Sequence, residues 1–562
     1  MPTSPHRRSA AVFGLVLLTS TSTIIAQSDG ARFAEIARSA AQQFAAARLA
    51  ADQTRPTAPG AGSQAVRVEL TLDEATARAL ERNLDIAVER LNPQLQELNL
   101  ERIRAAYRPT VSSTVGQRAV VQPPTSQLNG GTIVQNDVST YNGGINQALK
   151  WGGGDVSFQF NNNKQVTSNI FANFNPTYNA SFNATITQPL LRDFRVDGTR
   201  QQLRVTAINR DISELQLRGT LATTVANVRN AYWELVFAMQ AVDVANGSLD
   251  LAQKLVDDNR ARVEVGTMAP LDVVQAEAEA ATRRQALAQA EATMGTAELT
   301  LKRLIVSGTD DPLWRSAITP IDRPEFRSEP IDVEGAVRKA LADRTDLSQA
   351  RRTIDSNDVT MRFLQNQTLP AIDLVGTYSA QGLGGTQFVR QGTGLGSTVI
   401  DTIQLGYANA LRTLTGRDYP TWNVQMNVSY PLGGSAGDAQ YARARVQRNQ
   451  SAAQLRALEL QVATEVTNAA LQVESGLKRY EASAVARELA QTRLQAEQSR
   501  FEVGLSTNFF VVQAQRDLST AQNTELRALL DHRRALVDFA RVQEAPANRG
   551  AGITAIQAGG GF

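Results

Sequence analysis

The chain is 562 residues long, with no cysteine and two histidines, His6 and His532, a composition that leaves out disulfides, thiolate or multi-histidine metal sites and Ser-His-Asp chemistry. Its 57 basic and 55 acidic residues nearly balance, and removing Arg7 and Arg8 with an N-terminal signal leaves 55 of each, which argues against nucleic acid as a partner. No glycine loop with a lysine is there to cradle phosphate, so the chain is read as a non-enzyme with no cofactor or metal.

Residues 1–26 read as an export signal: His6-Arg7-Arg8 is the positive flank, AAVFGLVLL through Ile24-Ile25 the apolar core, and Ala26 the cleavage position. No cysteine follows, so a lipid-anchored product is not expected. Residues 27–65 hold an alanine-rich helical segment and a Pro/Gly linker. No later stretch reaches the apolar length of a transmembrane helix, so a further meeting with a membrane requires a barrel.

A first repeat spans 66–306. A weak strand signal lies at YRPTVSSTVG from Tyr107, and a possible pair, INQALKW and DVSFQF, flanks Gly152-Gly153-Gly154. In NASFNATITQPL, Ala180, Phe182, Ala184 and Ile186 alternate with polar residues, which predicts one apolar and one polar face. Intervening stretches rich in Asn, Gly and Thr read as surface loops. No proline occurs between Pro189 and Pro270, and the segment is rich in strong helix formers. Ile208, Ile212, Leu215, Ala222, Val225, Tyr232, Leu235, Met239 and Val242 form a coiled-coil-like stripe within it. A helix from about Thr199 to Val265 would be about 100 Å long. It ends in RVEVGTMAPLDVVQAE, Arg262 to Glu277, before a return helix.

Residues 307–332, with four prolines, connect to a second repeat over 333–545. Strand signals here are LPAIDLVGTYS and TWNVQMNVSYPL, in which Trp422, Val424, Met426, Val428 and Tyr430 alternate with polar residues. The stretch between Pro431 and Pro546 is also free of proline, and it leaves room for a second rod from about Asp438 to Val503. It ends in RFEVGLSTNFFVVQAQ, identical to the first motif at eight of sixteen positions. His532 reads as a solvated face residue, and 546–562 as a flexible tail.

The landmarks recur in order. Leu72, Ala75, Ala79-Leu80 and Pro109 match Val333, Ala336, Ala340-Leu341 and Pro370 at an offset of 261; Pro189 and Pro431 lie 242 apart, and Gly266 and Gly504 lie 238 apart. Each half therefore reads helix, strand, loop, strand, long helix, glycine motif, helix: an internal duplication. A few strands per chain cannot close a water-filled barrel, so several copies must pool them.

With the paired VGTMAPLDVVQAE and VGLSTNFFVVQAQ segments and the strand exits TQPLLRDF and SYPLGGSAG, the chain resembles the TolC-like outer-membrane efflux proteins over about residues 66–545. The resemblance implies a mixed α and β membrane protein, a homotrimer whose 12-stranded transmembrane β-barrel, about four strands per chain, continues into a periplasmic α-helical barrel. Segment 138–165 would add strands or form an extracellular flap. It also implies a Gram-negative outer-membrane location and partnership with a periplasmic adaptor and an inner-membrane transporter of RND, ABC or MFS type. The duct would then export small molecules or, in type I secretion, proteins. An exported coiled-coil structural or adhesin rod without a pore is the alternative.

In the family, the glycine motifs are hairpin tips that dock the adaptor. That role falls here on Val265, Gly266, Thr267 and Met268 and on Val503, Gly504, Leu505 and Ser506. The competing reading is that the glycines only cap helices while their valines pack internally. Asp272 matches an acidic position of the first motif, but Phe510, Gln513 and Ser506 stand where aspartates and a basic lock are frequent. An acidic constriction is therefore not expected. Either Phe509 or Phe510 narrows the periplasmic entrance beside Gln513, or the two rings pack between helices. Outer-membrane lipid would meet Phe182, Ile186, Trp422, Val424, Met426, Val428 and Tyr430.

Overall fold

The computed structural model describes residues 67–123, 133–323, 330–392 and 397–546; the signal, the N-terminal segment, part of the connector and the tail lie outside them. In chain order the elements are β1 (Arg67–Leu70), α1 (Leu72–Arg82), α2 (Leu84–Glu89), α3 (Leu91–Arg104), β2 (Thr110–Gln122), β3 (Val134–Ala148), β4 (Asp155–Thr167) and β5 (Phe174–Pro189). Then come α4 (Gly198–Glu264), α5 (Pro270–Ile305), α6 (Pro312–Arg315), β6 (Ala317–Pro320), α7 (Val333–Asp343) and α8 (Thr345–Gln367). The chain ends with β7 (Ala371–Gln391), β8 (Thr398–Gln404), α9 (Gly406–Gly416), β9 (Pro420–Ser429), α10 (Ala436–Glu502) and α11 (Asn508–Val542).

A small unit gathers residues 306–319 with the segment ending at Glu69. Its two-stranded sheet pairs β1 with β6, and Asp311 caps α6 by accepting from the Leu313 amide. The rest of the described chain forms the larger unit.

In the larger unit the rods α4 and α10 are each 67 residues long. Helices of that length follow from the proline-free, Ala/Leu/Arg/Gln-rich sequence and from well-capped starts. Asp197 accepts from the Arg200 amide, and Ser435 and Asp438 form a capping box. α5 packs along α4 and α11 along α10, while α3 and α8 cover the rods nearer the sheet. The repeat holds in register. Leu72 and Val333 open α1 and α7, Thr110 and Ala371 open β2 and β7, and both pairs share the offset of the early landmarks. Gly198 and Ala436 open the two rods at the offset of the tip glycines.

The strands form one seven-stranded sheet, ordered β2-β3-β4-β5-β7, with β8 and β9 both on the far edge of β7. This exceeds the expected four, and segment 138–165 forms paired strands of the sheet, not a flap. The Asn/Gly/Thr-rich stretches expected as loops are largely these strands. A sheet with one watery face takes polar residues at every second position, and that composition imitates a loop. The short helix α9 was also unforeseen. It lies on β7 and β5 against Ala180, Ala380 and the aromatic residues around them. Its close approach needs Gly382 and Gly384, where an added Cβ would come within 1.9 Å of the Ala410 carbonyl and 2.2 Å of that of Gly406.

His532 is not a solvated face residue. It is 4% exposed, between α10 and α11, with Nδ1 3.3 Å from the Val473 carbonyl. Gly476 makes room for it: a Cβ there would touch the His532 backbone at 3.3 Å. Charges flanking it in sequence point elsewhere because α11 has a buried stripe at this level.

Candidate functional site

Both glycine motifs form the turns between antiparallel helices, α4 to α5 and α10 to α11. Gly266 has φ 80° and Gly504 φ 78°, left-handed values that suit glycine. The bonding is the same in both. The Gly266 amide donates to Val263 O and Thr267 to Arg262 O (2.9 Å each); Gly504 donates to Phe501 O (3.1 Å) and Leu505 to Arg500 O (2.8 Å). This is the Schellman pattern that closes a helix C-terminus. The glycines therefore do cap their helices, but the valines beside them do not pack inward. Val265, Val503 and Leu505 are 70–78% exposed.

The repeated Val-Val-Gln-Ala has a different task. Ala276 of the first motif and Val511 and Ala514 of the second are buried together with Leu255, Leu494 and Phe501, a core drawn from all four helices. Met268 packs against the same core, so this expected docking residue is turned partly inward, and Ser506 is half-buried as well. Arg262 joins the tips, its guanidinium 4.4 Å from the centre of the Phe501 ring and donating to the Phe501 carbonyl at 3.3 Å. The buried Asn508 side chain donates to Asp272 O at 3.2 Å.

The expected entrance residues divide. Asp272 is half-buried and lends its backbone carbonyl to this crosslink. Gln513 donates to Asp517, which pairs with Arg493 at 2.8 Å. Ser506 donates to Glu497 at 2.8 Å; this bond, with help from Arg500 and against desolvation, holds the Glu497 carboxyl below its ordinary value. Phe509 and Phe510 stack edge to face, 5.6 Å between centroids, and at 63% and 50% exposure they are not packed between helices of this chain.

Sequence reasoning missed the lock behind the tips. The Glu279 side chain is buried and bonds Arg516 of α11 at 2.5 Å and Arg283 of α5 at 2.7 Å. Burial works to raise its pKa, but bonding and charge from the two arginines outweigh it, and the carboxyl titrates below its usual range. The available signal was positional: Glu279 and Asp517 are repeat partners, at the same offset as Gly266 and Gly504.

At the other end, the sheet separates its residues by face. Register places Phe160 opposite Phe182, Phe182 opposite Ala380, Tyr378 opposite Trp422 and Leu374 opposite Met426, all on one apolar face. Asn183, Ser379 and Gln159 share the opposite, polar face. Ile186, Trp422, Val424, Met426, Val428 and Tyr430 are exposed, whereas Phe182 packs under α9. Among the described residues no helix is long and apolar enough to cross a membrane.

The family model described as outer membrane efflux protein matches residues 153–306 and 336–542. The fold is similar to that of the outer-membrane channel OprN, with a TM-score of 0.60 at 17% identity over 84% of this chain and 90% of that one. It is similar to CusC (TM-score 0.59, 14% identity, 87% and 95% coverage) and to the CmeC outer membrane channel of Campylobacter jejuni (0.59, 13%, 84% and 85%). The cobalt-zinc-cadmium resistance protein CzcC of Cupriavidus metallidurans is 27% identical over 175 residues, 31% of this chain; the match spans 40% of the length of CzcC.

Proposed function

This chain belongs to the outer membrane efflux protein family, a family of the Gram-negative outer membrane, and on that premise we propose that it is the exit-duct subunit of a tripartite efflux or type I secretion assembly. Three copies pool their sheets into one barrel through the outer membrane, and the rods continue as a helical barrel through the periplasm. The observation that carries this reading is the coupling of sheet to rods. Pro189, at the exit into α4, pairs with Asp373, and Ser429, at the exit toward α10, pairs with Ala371, so both rods leave the same end of a sheet with one apolar face. An apolar face of Ile186, Trp422, Val424, Met426 and Val428 suits lipid, and the polar face suits a water-filled lumen.

At the far end, Val265, Thr267, Val503, Leu505 and their capping glycines present small apolar contacts to a periplasmic adaptor, which connects to an inner-membrane transporter. The Phe509-Phe510 pair borders the periplasmic entrance, to which Asp272 and Gln513 also belong. Heat-resistant trimers from detergent-extracted outer membrane, with conductance in planar bilayers, are the expected result; a soluble monomer overturns the reading. In Leu505→Asp the trimer and conductance persist while adaptor co-purification and export fall at least tenfold. Full export by that variant removes the tips from the docking surface.

A further inference from the structure

We propose that the barrel takes six strand columns from each chain and closes by pairing β9 of one copy with β2 of the next, in a register specified by the internal repeat. This deepens the exit-duct reading and rests on it. The occupant of each free sheet edge is a second copy of this chain.

Among the described residues β2 pairs only with β3, and β9 only with β7. These edges are 13 and 10 residues long, and nearly every residue on them is exposed, whereas β5 in the sheet interior is mostly half-buried. Unpaired edges are not tolerated in hydrocarbon, where each free N–H and C=O lacks even water. β8 adds no separate column. It pairs with Thr386–Gln391 of β7, further along the edge that β9 occupies at Ala371–Ala380.

Strand direction fits the closure. Every pairing across β2, β3, β4, β5, β7 and β9 is antiparallel, so β9 runs opposite to β2. Copies joined edge to edge continue the alternation without a fault, and the total is even.

The register follows from the duplication. Within one chain, β5 against β7 is the place where the last strand of the first half meets the first strand of the second. β9 against the next copy's β2 is the same junction with the halves exchanged. Carrying the β5–β7 pairs across at offsets of 242 and 261 turns Ile186–Gly376 into Val428–Val115, Phe182–Ala380 into Val424–Ala119 and Ala180–Gly382 into Trp422–Val121. The faces agree without adjustment. Val115 pairs with Tyr141, two positions before Gly143, which pairs with Phe160 on the apolar face. On the polar face, Gln425 meets Arg118 and Asn427 meets Gly116. A slip of one residue would set apolar beside polar along the whole seam.

Three copies then give about 18 strand columns, not the 12 that the resemblance implies. With strands about 4.8 Å apart and tilted about 40°, the backbone diameter is about 36 Å, against about 24 Å for 12 strands.

The chain has no native cysteine, so paired cysteines report the seam directly. Val115→Cys with Val428→Cys in full-length protein, oxidised in outer membranes, is expected to give reducible dimers and trimers on denaturing gels. Val115→Cys with Trp422→Cys, out of register, gives none. Ala119→Cys with Val424→Cys reads the same seam if the first pair does not assemble. Strand counting in a cryo-electron-microscopy map of the unmodified protein requires no substitution. A conducting trimer with 12 strands, or one whose in-register cysteines stay uncrosslinked, overturns the six-column closure and leaves the duct reading standing. A soluble monomer overturns the duct reading itself, and this closure with it.

Discussion

Asn83 in the first half and Arg344 in the second stand at the same repeat position, and each interrupts a helix with φ −64° and ψ near 130°. Asn83 donates from Nδ2 to the carbonyl of Leu304 at 2.9 Å; Arg344 donates from Nη1 to that of Val542 at 3.2 Å. Leu304 and Val542 are themselves repeat partners, at the offset of the tip glycines. The two halves thus keep a backbone task, tying a helix break to the end of the return helix, while changing the side chain that performs it. The change brings charge. Arg344 is fully buried and must also be met by Asp346 and Glu465, at 3.0 and 2.6 Å. Elsewhere the halves differ in elements: the first spends its span on four strands, the second on strands interrupted by α9.

The largest expected effect tests that first pair. Arg344→Ala leaves two carboxylates without their buried partner and should cost about 3–5 kcal/mol, while Asn83→Ala should cost about 1–2 kcal/mol. Thermal unfolding in detergent measures both, and equal losses would erase the distinction between the halves. Next is Gly382→Ala, which drives a methyl into the Ala410 carbonyl. It should cost about 1–3 kcal/mol and free α9 to hydrogen exchange, an element for which the first half has no counterpart.

The tips are where the halves agree, so Gly266→Ala and Gly504→Ala should cost about the same, roughly 1–2 kcal/mol each. Unequal losses would separate two turns that share one bonding pattern. His532 gives a pH effect confined to the second half. Burial lowers its pKa, with Arg533 acting in the same direction against the bond to Val473. The unfolded chain therefore takes up the proton first. Stability is complete above the ordinary histidine value of about 6.5 and declines as pH falls toward the lower folded value, by at most about 1.4 kcal/mol per pH unit. His532→Gln should flatten that slope in urea unfolding between pH 7.5 and 5. The smallest stability effect belongs to Phe510→Ala, within about 0.5 kcal/mol, because the ring is half exposed. Its readout is single-channel conductance; no change there would take Phe510 away from the entrance.

Much of the architecture was legible because it is periodic. Proline gaps, helix formers and matched landmarks predicted rods over 199–265 and 438–503, nearly the bounds of α4 and α10. The tip glycines were legible because a left-handed residue at a helix end restricts the choice. What escaped was polar or local: the Asn-rich remainder of β3 and β4 beyond the INQALKW and DVSFQF pair, the helix α9 in a Gly/Thr-rich stretch, and the Glu279–Arg516 pair, whose partners come from opposite halves of the chain.

Composition and repeat by themselves determined the class of this protein, two copies of a strand-and-rod unit with an apolar sheet face, since period and proline act locally along the chain. Only the tertiary structure decided how many strands enter the sheet, that His532 is buried and that Met268 turns inward while Val265 and Leu505 stay exposed. Those outcomes depend on which surfaces meet between segments far apart in the chain, and a one-dimensional pattern does not carry that information.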